Sequence, residues 1–179
     1  MLTTDNALLL VIDFQDRLMP SIHLRDRLAK KAAAIIAGCR ILDVPILLTQ
    51  QYTKGLGDTI PEVKRALGEF EPIEKLTFSC CETADFKEKL QESGRKNVIV
   101  TGVEAHICVQ QTVLELLEDE YSVYVAADCI GSRFDTDRRY AEKRMEKAGA
   151  VLTTMESILF EMLVRADHPK RKEISNLVK

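Results

Sequence analysis

Asn97-Val98-Ile99-Val100-Thr101-Gly102-Val103-Glu104-Ala105-His106-Ile107-Cys108 is the stretch of this chain that decides its fold. Residues 97–101 are mostly apolar β-formers and predict a buried central strand, and Gly102 predicts the turn that follows. Apolar side chains then recur at helical spacing: Val109, Val113, Leu116 and Leu117. A strand, a turn and a helix in this order form the unit of a parallel α/β sheet, whose ligand crevice lies at the carboxyl ends of the strands.

The same alternation of strand and helix extends along the whole chain. The other predicted strands cover Ala7 to Ile12, Val44 to Thr49, Ser122 to Ala126 and Ala150 to Thr153. Helices are predicted from Leu24 to Leu42, Thr83 to Gly94, Val109 to Leu117 and Thr136 to Ala148, with a last one opened by the capping-box pattern Thr153-Thr154-Met155-Glu156. Strands joined through helices imply right-handed crossovers and a parallel sheet covered on both faces. We therefore predict one α/β domain over residues 1–179, a three-layer α/β/α architecture with a doubly wound, mostly parallel sheet.

A long connection between Gln50 and Lys75 interrupts this alternation. It contains several residues typical of turns: Gly55, Gly57, Pro61, Gly68 and Pro72. A short helix is predicted from Pro61 to the region of Gly68. Connections of this length inside a compact domain are usually lids, binding loops or arms between subunits.

The charge and hydropathy of the chain argue against nucleic-acid and membrane partners. The net charge is −3 at pH 7 with a pI near 5.7, and basic residues are interleaved with acids rather than gathered into a stripe. No nucleic-acid partner is therefore expected. No apolar run approaches the ~20 residues that span a bilayer, so no membrane partner is expected. Residues 1–6 lack the basic stretch and cleavage site of a signal peptide, which predicts a cytoplasmic location.

The five cysteines, at positions 39, 80, 81, 108 and 129, match neither a zinc-ligand spacing nor a secreted disulfide framework. In a reducing compartment they are expected to be free thiols, most of them buried like small hydrophobic residues. Cys80 and Cys81 are adjacent, which suits neither a disulfide nor a metal site, and no role is assigned to them.

Three reactive side chains stand out. Asp13 directly follows the strand that ends at Ile12, Cys108 begins the helix after the central strand, and Lys75 ends the long connection. A helix N-terminus favours a thiolate, and a carboxylate at a strand end needs a partner such as an ammonium group. An acid, an ammonium and a thiol that meet at one edge of the sheet would form an activated cysteine nucleophile with its base and its charge stabiliser.

Each of these three residues also has a plainer interpretation. Cys108 is equally compatible with a buried structural cysteine, and Asp13 with a helix cap or a structural ion pair. Lys75, taken alone, is compatible with a surface lysine, since most lysines are exposed. The functional interpretation of Lys75 therefore depends on the other two residues.

The surrounding residues predict a substrate pocket. Backbone N–H groups of the turn 102–108 could hold an oxyanion. The predicted pocket side chains are Gln15, Tyr52, Phe78 and His106. Tyr52 and Phe78 could clamp a planar substrate or belong to the core or an interface. His106 is more simply a hydrogen-bonded lining residue than an acid or base. Asp128, which follows the strand ending at Ala126, is expected to cap a turn.

With these residues in view, the chain resembles the isochorismatase-like cysteine hydrolase superfamily, which includes the nicotinamidases, from Ala7 to Leu163. Val11-Ile12-Asp13-Phe14-Gln15 is similar to the family's Asp-x-Gln opening, Glu74 to Ser79 to its lysine segment, and Gly102 to Thr112 to its cysteine segment. Two further stretches, Gln51 to Gly57 and Asp167 to Lys170, are similar to the isochorismatase domain-containing branch.

The resemblance implies a role for each matching residue. Asp13 matches the general base, Lys75 the lysine beside it and Cys108 the nucleophile. An oxyanion hole formed by the backbone N–H groups of Glu104 and Cys108 is implied, with a cis peptide bond at Val103–Glu104 just before it. Also implied are the isochorismatase-like hydrolase fold and a homo-oligomer, predicted here as a dimer or tetramer.

The chain departs from the nicotinamidases where they bind their metal. Those enzymes carry an Asp and His cluster after the second strand, whereas residues 49–53 here are Thr-Gln-Gln-Tyr-Thr. Neither a metal nor another cofactor is therefore expected, and nicotinamide is not implied as the substrate. A second departure is Ala105-His106, where the family has Thr-Asp, so that the pocket floor differs. Isochorismatase itself lacks the cysteine, and Cys108 therefore argues against that reaction.

We expect a metal-independent cysteine hydrolase that acts on a small-molecule substrate with an amide or related C–N bond. Loss of Asp13 is expected to abolish hydrolysis and to slow alkylation of Cys108 near neutral pH. An alternative of a different class is a catalytically silent oligomeric scaffold or binding protein on the same fold. A third is a redox role for Cys108, with Cys80 or Cys129 as the resolving thiol.

Overall fold

A six-stranded sheet forms the centre of the protein in a computed structural model that describes residues 1–179. The strands are β1 (Ala7–Ile12), β2 (Ile46–Gln51), β3 (Ile73–Lys75), β4 (Asn97–Val103), β5 (Ser122–Gly131) and β6 (Val151–Thr153). Their order in the sheet is β3-β2-β1-β4-β5-β6, and every neighbouring pair is parallel. The predicted three-layer, doubly wound α/β fold is confirmed, with a sheet that is wholly parallel.

Eight α-helices flank the sheet. They are α1 (Arg25–Ile41), α2 (Thr53–Leu56), α3 (Pro61–Leu67), α4 (Ala84–Glu92), α5 (Gln110–Glu118), α6 (Asp135–Ala148), α7 (Met155–Leu163) and α8 (Arg171–Leu177). A 3-10 turn at Met19–Ser21 precedes α1, and a π-helical turn at Ala105–Val109 precedes α5. Helix α1 packs with α3, α7 and α8, and α5 packs with α6. No helix of the chain combines the length and the apolarity that crossing a membrane requires.

Strand β1 shows why both faces of the sheet must be covered. All of its residues are buried. Leu9 and Val11 belong to the core that includes α1 and α7, whereas Leu8 and Leu10 belong to the core that includes α4 and α5. A continuous apolar run is what a parallel strand needs when helices cover it on both sides.

The chain changes direction across the sheet between β1 and β4. Strands β1 to β3 extend to one edge and β4 to β6 to the other, so the ends of β1 and β4 flank the topological switch point. Gly102, in β4, has φ of 155°, and a Cβ there would lie 2.6 Å from the Ile12 backbone oxygen. The glycine therefore allows β4 to approach β1 closely at the edge where the site forms.

Three strands near the site differ from the sequence prediction. Strand β4 continues through Gly102, the predicted turn residue, to Val103 and does not end at Thr101. Strand β2 runs from Ile46 to Gln51 rather than from Val44 to Thr49, because Pro45 has no N–H to donate and the polar side chains at 50 and 51 find buried partners. Strand β3 lies inside the predicted long connection. Three residues carry no readable periodicity, so the sequence does not predict it.

Strand β5 extends to Gly131, beyond its predicted end at Ala126. Its register opposite β4 shifts where Asp128 lies, and Asp128 accepts the Met155 N–H at 2.8 Å at the start of α7. The predicted capping role of Asp128 is thus played at a helix rather than a turn. The side-chain cap of α7 is Thr154, one residue after the predicted Thr153, and α8 follows as a further helix.

Candidate active site

Asp13, Lys75 and Cys108, called the triad below, come together at the carboxyl ends of three strands. Asp13 follows β1 in a left-handed backbone conformation with φ of 55°, Lys75 is the last residue of β3, and Cys108 lies in the π-helical turn after β4. All three are buried, with exposures of 0%, 2% and 6%. The fold therefore unites residues that are far apart in sequence.

The Asp13 carboxylate and the Lys75 ammonium form a fully buried ion pair. Asp13 Oδ2 and Lys75 Nζ are 2.7 Å apart, and both side chains are 0% exposed. The predicted contact between these two groups is confirmed. The other carboxylate oxygen, Oδ1, accepts the Thr49 hydroxyl at 2.8 Å.

The Lys75 ammonium is held by further oxygens. It donates to Gln51 Oε1 at 2.7 Å, Phe78 O at 3.0 Å and Thr77 O at 3.2 Å. Burial by itself would lower the pKa of Lys75, but Asp13 with the Cys108 and Cys80 sulfurs outweighs that effect, and the pKa is raised above its ordinary value. Lys75 therefore stays charged beside Asp13.

The Cys108 thiol keeps its proton in the resting site. Burial raises the pKa of Cys108 to about 12, and Asp13 adds to the rise while Lys75 opposes it. The sequence predicts a thiolate at the start of a helix, and this expectation is corrected. Cys108 precedes α5 in the π-helical turn, where burial and the neighbouring carboxylate outweigh the helix dipole. A nucleophilic Cys108 therefore needs a base as it reacts.

The turn before Cys108 has one feature that the resemblance implies. The Val103–Glu104 peptide bond is cis. The Glu104 carboxylate accepts the backbone N–H of Arg133 at 3.0 Å and its Nε–H at 3.2 Å. The backbone N–H of Glu104 donates to no backbone group of the chain. Glu104 thus has a fixed side chain and a backbone donor that is free for another partner.

Tyr52, Phe78 and His106, three of the predicted pocket residues, lie next to triad residues along the chain or in space. Tyr52 is 48% exposed and its N–H donates to Lys75 O at 2.9 Å. Phe78 is 56% exposed, and its carbonyl accepts the Lys75 ammonium. His106 shares the π-helical turn with Cys108, and its Nδ1 lies 3.0 Å from Ser132 Oγ. The hydrogen bond agrees with the plainer interpretation of His106.

Gln15 occupies a different position from the predicted one. It is fully buried, and both its amide nitrogen and its amide oxygen form hydrogen bonds with backbone groups. Nε2 donates to Gln51 O at 3.0 Å and Gly57 O at 2.7 Å, and Oε1 accepts the Gln51 N–H at 2.7 Å. A side chain saturated in this way does not line an open pocket. It fixes the end of β2, from which Gln51 contacts Lys75.

The triad does not line a large cavity of the single chain. The largest of the four principal surface cavities, about 610 Å³, lies between α4 and α5, and none of the four includes a triad residue. The sequence predicts one pocket onto which all three residues open, and these four cavities do not provide it. Exposed apolar side chains stand close to Lys75 in sequence or space: Tyr52, Leu76 and Phe78.

Sequence reasoning missed three side chains that surround the triad, Thr49, Gln51 and Thr112, and named Cys80 only as a resolving thiol for a redox role of Cys108. Thr49 contacts Asp13, and Gln51 contacts Lys75. The Thr112 hydroxyl accepts the Cys80 N–H at 3.0 Å and donates to Cys108 O at 2.7 Å. The available signal was the polar run 49–51 at the end of an apolar strand, because buried polar groups must find partners.

Residues 50 and 51 stand where the nicotinamidases place metal ligands, and here their side chains bind other parts of the protein. Gln50 Nε2 donates to Asp58 Oδ1 at 2.6 Å and to Thr59 Oγ1 at 2.9 Å. Gln51 Oε1 accepts a hydrogen bond from the Lys75 ammonium. No group of three or more His, Cys, Asp or Glu side chains is placed to hold a metal ion.

The fold and the triad together define the class of protein. It is a three-layer α/β protein with a buried polar site at the carboxyl ends of a parallel sheet. Comparison with known proteins identifies the family. The isochorismatase domain profile matches residues 7–157, and the chain belongs to this family of hydrolase fold.

Similar proteins match nearly the whole chain. Isochorismatase domain-containing protein 2 of Danio rerio is 38% identical over 178 residues, which cover 99% of this chain and 89% of the relative. A solved structure described as MAR1 ribonuclease from Caenorhabditis elegans has a TM-score of 0.93 and 39% identity, and covers 99% of this chain and 91% of that chain. Escherichia coli YcaC, described as an octameric hydrolase of unknown specificity, has a TM-score of 0.89 and 25% identity, with coverages of 98% and 86%.

Proposed function

We propose that this protein is a cysteine hydrolase that cleaves a small amide or related C–N bond without a metal ion. The observation that carries the proposal is the buried Asp13–Lys75 pair, 2.7 Å apart, which acts electrostatically on the Cys108 thiol. Apolar residues in place of a buried ion pair are often neutral or stabilising. The presence of the pair at the switch point of the sheet therefore favours a role in chemistry over a role in stability.

In the proposed mechanism Asp13 first acts as the base. A thiol with a pKa of about 12 is not ionised in advance, so its proton passes to Asp13 as Cys108 Sγ attacks the substrate carbonyl carbon. The C–S bond forms and the carbonyl π electrons move to the oxygen. The backbone N–H groups of Glu104 and Cys108 hold that oxyanion, and Lys75 keeps the site electrically balanced.

Asp13 then acts as the acid. It gives its proton to the leaving nitrogen as the C–N bond breaks, which leaves a thioester on Cys108 and a free amine or ammonia. The ionised Asp13 next takes a proton from water, whose oxygen attacks the thioester. The C–S bond breaks, the carboxylic acid leaves, and the proton returns from Asp13 to the Cys108 sulfur.

Two other functions compete with this proposal. The C. elegans relative is described as a ribonuclease. A phosphate backbone suits a basic, open surface, whereas Asp13 and Lys75 are 0% exposed and this chain has a net charge of −3. The second alternative is an oligomeric scaffold whose triad is inactive. Both remain outcomes of the test below.

The test is a panel of small primary amides and ureas, assayed for ammonia release, with a single-stranded RNA oligonucleotide assayed for cleavage. We expect ammonia release from at least one amide, loss of that release in Cys108→Ala, and no change with EDTA because no ligand cluster is present. Rescue by zinc after EDTA treatment would overturn the metal-free mechanism. Cleavage of RNA alone would favour the ribonuclease, and no turnover of any substrate would favour the scaffold.

We also propose a homo-oligomer. Large apolar side chains are exposed, at Tyr52, Leu76, Phe78, Phe134 and Tyr140 among others, and a subunit contact would remove such surface from water. The E. coli relative is described as octameric. Light scattering at micromolar concentration is expected to give a mass of at least two 20.2 kDa chains. A monomer mass would contradict this proposal.

We further propose a cytoplasmic location with a small-molecule substrate as the main partner. All five cysteines are free and buried, which suits a reducing compartment. Cell fractionation checks the location, and recovery of the protein in an oxidising compartment would contradict it.

A further inference from the structure

The two oxygens of the Asp13 carboxylate have different neighbours. Oδ2 faces Lys75 Nζ at 2.7 Å and makes no further hydrogen bond in the chain. Oδ1 accepts the Thr49 hydroxyl at 2.8 Å, and Thr49 is 0% exposed, so that solvent does not compete for this hydroxyl. Oδ1 is therefore held by a hydrogen bond from Thr49, whereas Oδ2 has the Lys75 ion pair and can still accept a proton.

The Thr49 hydroxyl has a thiol on its other side. Cys80 Sγ lies 3.9 Å from Thr49 Oγ1, and Cys80 is 0% exposed. Burial raises the pKa of Cys80 to about 12, so the thiol keeps its proton. Because a carboxylate only accepts, Thr49 must donate to Asp13, and the Cys80 S–H can donate to the hydroxyl oxygen. The result is a directed chain from Cys80 through Thr49 to Asp13.

The same Cys80 is also tied to the nucleophile's backbone. Its N–H donates to Thr112 Oγ1 at 3.0 Å, and the Thr112 hydroxyl donates to Cys108 O at 2.7 Å. Cys80 thus stands between the acid and the nucleophile, on the loop that follows Lys75. Thr49 links Cys80 to Asp13, and Thr112 links it to the backbone of Cys108.

We propose that Thr49 is a positioning residue of the proposed hydrolase: it ties Asp13 Oδ1 so that Oδ2 serves as the base for Cys108, and Cys80 orients the Thr49 hydroxyl. The inference rests on the proposed function for its catalytic meaning. Its physical content is a hydrogen bond that limits how strongly Asp13 holds the Cys108 proton.

The direction of the effect follows from the groups that face Cys108. They are Asp13, which opposes ionisation of the thiol, and Lys75, which favours it. Cys80 would oppose ionisation only as a thiolate, and it keeps its proton at pH 8 because burial raises its pKa to about 12. Without the Thr49 donor, Asp13 is a stronger acceptor and holds the Cys108 S–H proton more tightly. Alkylation, which requires the thiolate, should then become slower at a given pH. A merely structural loosening would expose Cys108 and make alkylation faster, because burial is the main cause of its raised pKa.

The experiment measures the rate of Cys108 alkylation by iodoacetamide at pH 8, read by peptide mass spectrometry. Thr49→Val is expected to slow the reaction about 10-fold, the size of one strong hydrogen bond to a charged group. Thr49→Ser, which keeps the hydroxyl, is expected to react at the wild-type rate. Thr101→Val is the matched control, because Thr101 is equally buried and its hydroxyl donates to Cys129 O rather than to the triad.

Cys80 and its neighbour Cys81 provide a second pair of test and control variants. Cys80→Ala is expected to slow alkylation about 3-fold, since S–H is a weak donor, while Cys81→Ala leaves the rate unchanged. In an Asp13→Asn background, Thr49→Val should have no further effect, because its donor acts through the carboxylate. Any of three results would overturn the inference. Alkylation of Cys108 could be faster in Thr49→Val than in the wild type, or Thr49→Ser could fail to keep the wild-type rate. Thr49→Val could also slow alkylation as much in the Asp13→Asn background as in the wild type. Alkylation needs no substrate, so a failed amide screen would refute only the proposed function.

Discussion

Asp13→Asn is expected to abolish amide hydrolysis and at the same time to speed the alkylation of Cys108 near neutral pH. Hydrolysis loses both its base and its acid, each worth about 10²–10⁴-fold. Alkylation gains because Asp13 contributes to the raised pKa of Cys108 while Lys75 opposes it, and the substitution removes only the first effect. A fall of one pKa unit would increase the thiolate fraction about 10-fold.

This prediction reverses the sign that the sequence suggests, which was slower alkylation. A base beside a thiol was expected to promote a standing thiolate, whereas an ionised carboxylate in a buried site disfavours a second negative charge. The measurement is the rate of iodoacetamide labelling at pH 7–9, with Cys108→Ser to report the background from the other four buried thiols. If hydrolysis and labelling both fall in Asp13→Asn while the fold is intact, Asp13 does not contribute to the raised pKa of Cys108.

Lys75→Met is expected to lower the free energy of unfolding by about 3–5 kcal/mol, because it leaves the Asp13 charge buried and unpaired. Methionine keeps most of the length of the side chain without its charge. The pKa of Lys75 is raised in the folded protein, so its contribution is complete below the unfolded pKa of about 10.4 and is lost as the pH rises through the folded value. Urea unfolding at pH 7 measures the effect where that contribution is complete.

Two variants control for this result. Asp13→Asn with Lys75→Met removes both charges and is expected to recover most of the lost stability, since no ion is then left unpaired. Lys89→Met removes a partly exposed lysine paired with Asp85 at the protein surface and should change stability by no more than about 0.5 kcal/mol. A loss for Lys75→Met as small as that for Lys89→Met would mean that the buried pair is solvated in solution.

Much of the fold could be predicted because it depends on local patterns. The continuous apolar run Ala7–Ile12 suits only a strand buried on both faces, and that position places Asp13 at the carboxyl edge of the sheet. The strand, turn and helix around Cys108 place the thiol at the same edge. These conclusions need only side-chain periodicity and the known geometry of a parallel sheet.

The partners within the site could not be predicted in this way. Strand β3 is too short to leave a pattern, and it places Lys75 beside Gln51 through pairing with β2. Thr49 and Cys80 meet across 31 residues of sequence, and Cys80 is connected to Cys108 through Thr112. No spacing of residues in the sequence predicts such contacts, because they depend on the register and packing of distant segments.

The sequence by itself determined the fold class, because strand and helix periodicity are local, and it singled out Asp13 and Cys108 by their places after predicted strands. Lys75 was predicted only through the other two residues. Only the tertiary structure decided the protonation of Cys108 and Lys75. Whether Cys108 is a thiol or a thiolate depends on how much water reaches it and on the distances to Asp13 and Lys75. Burial and distance are properties of the packed chain, and in a site with little exposure they outweigh the local preference of a helix start for negative charge.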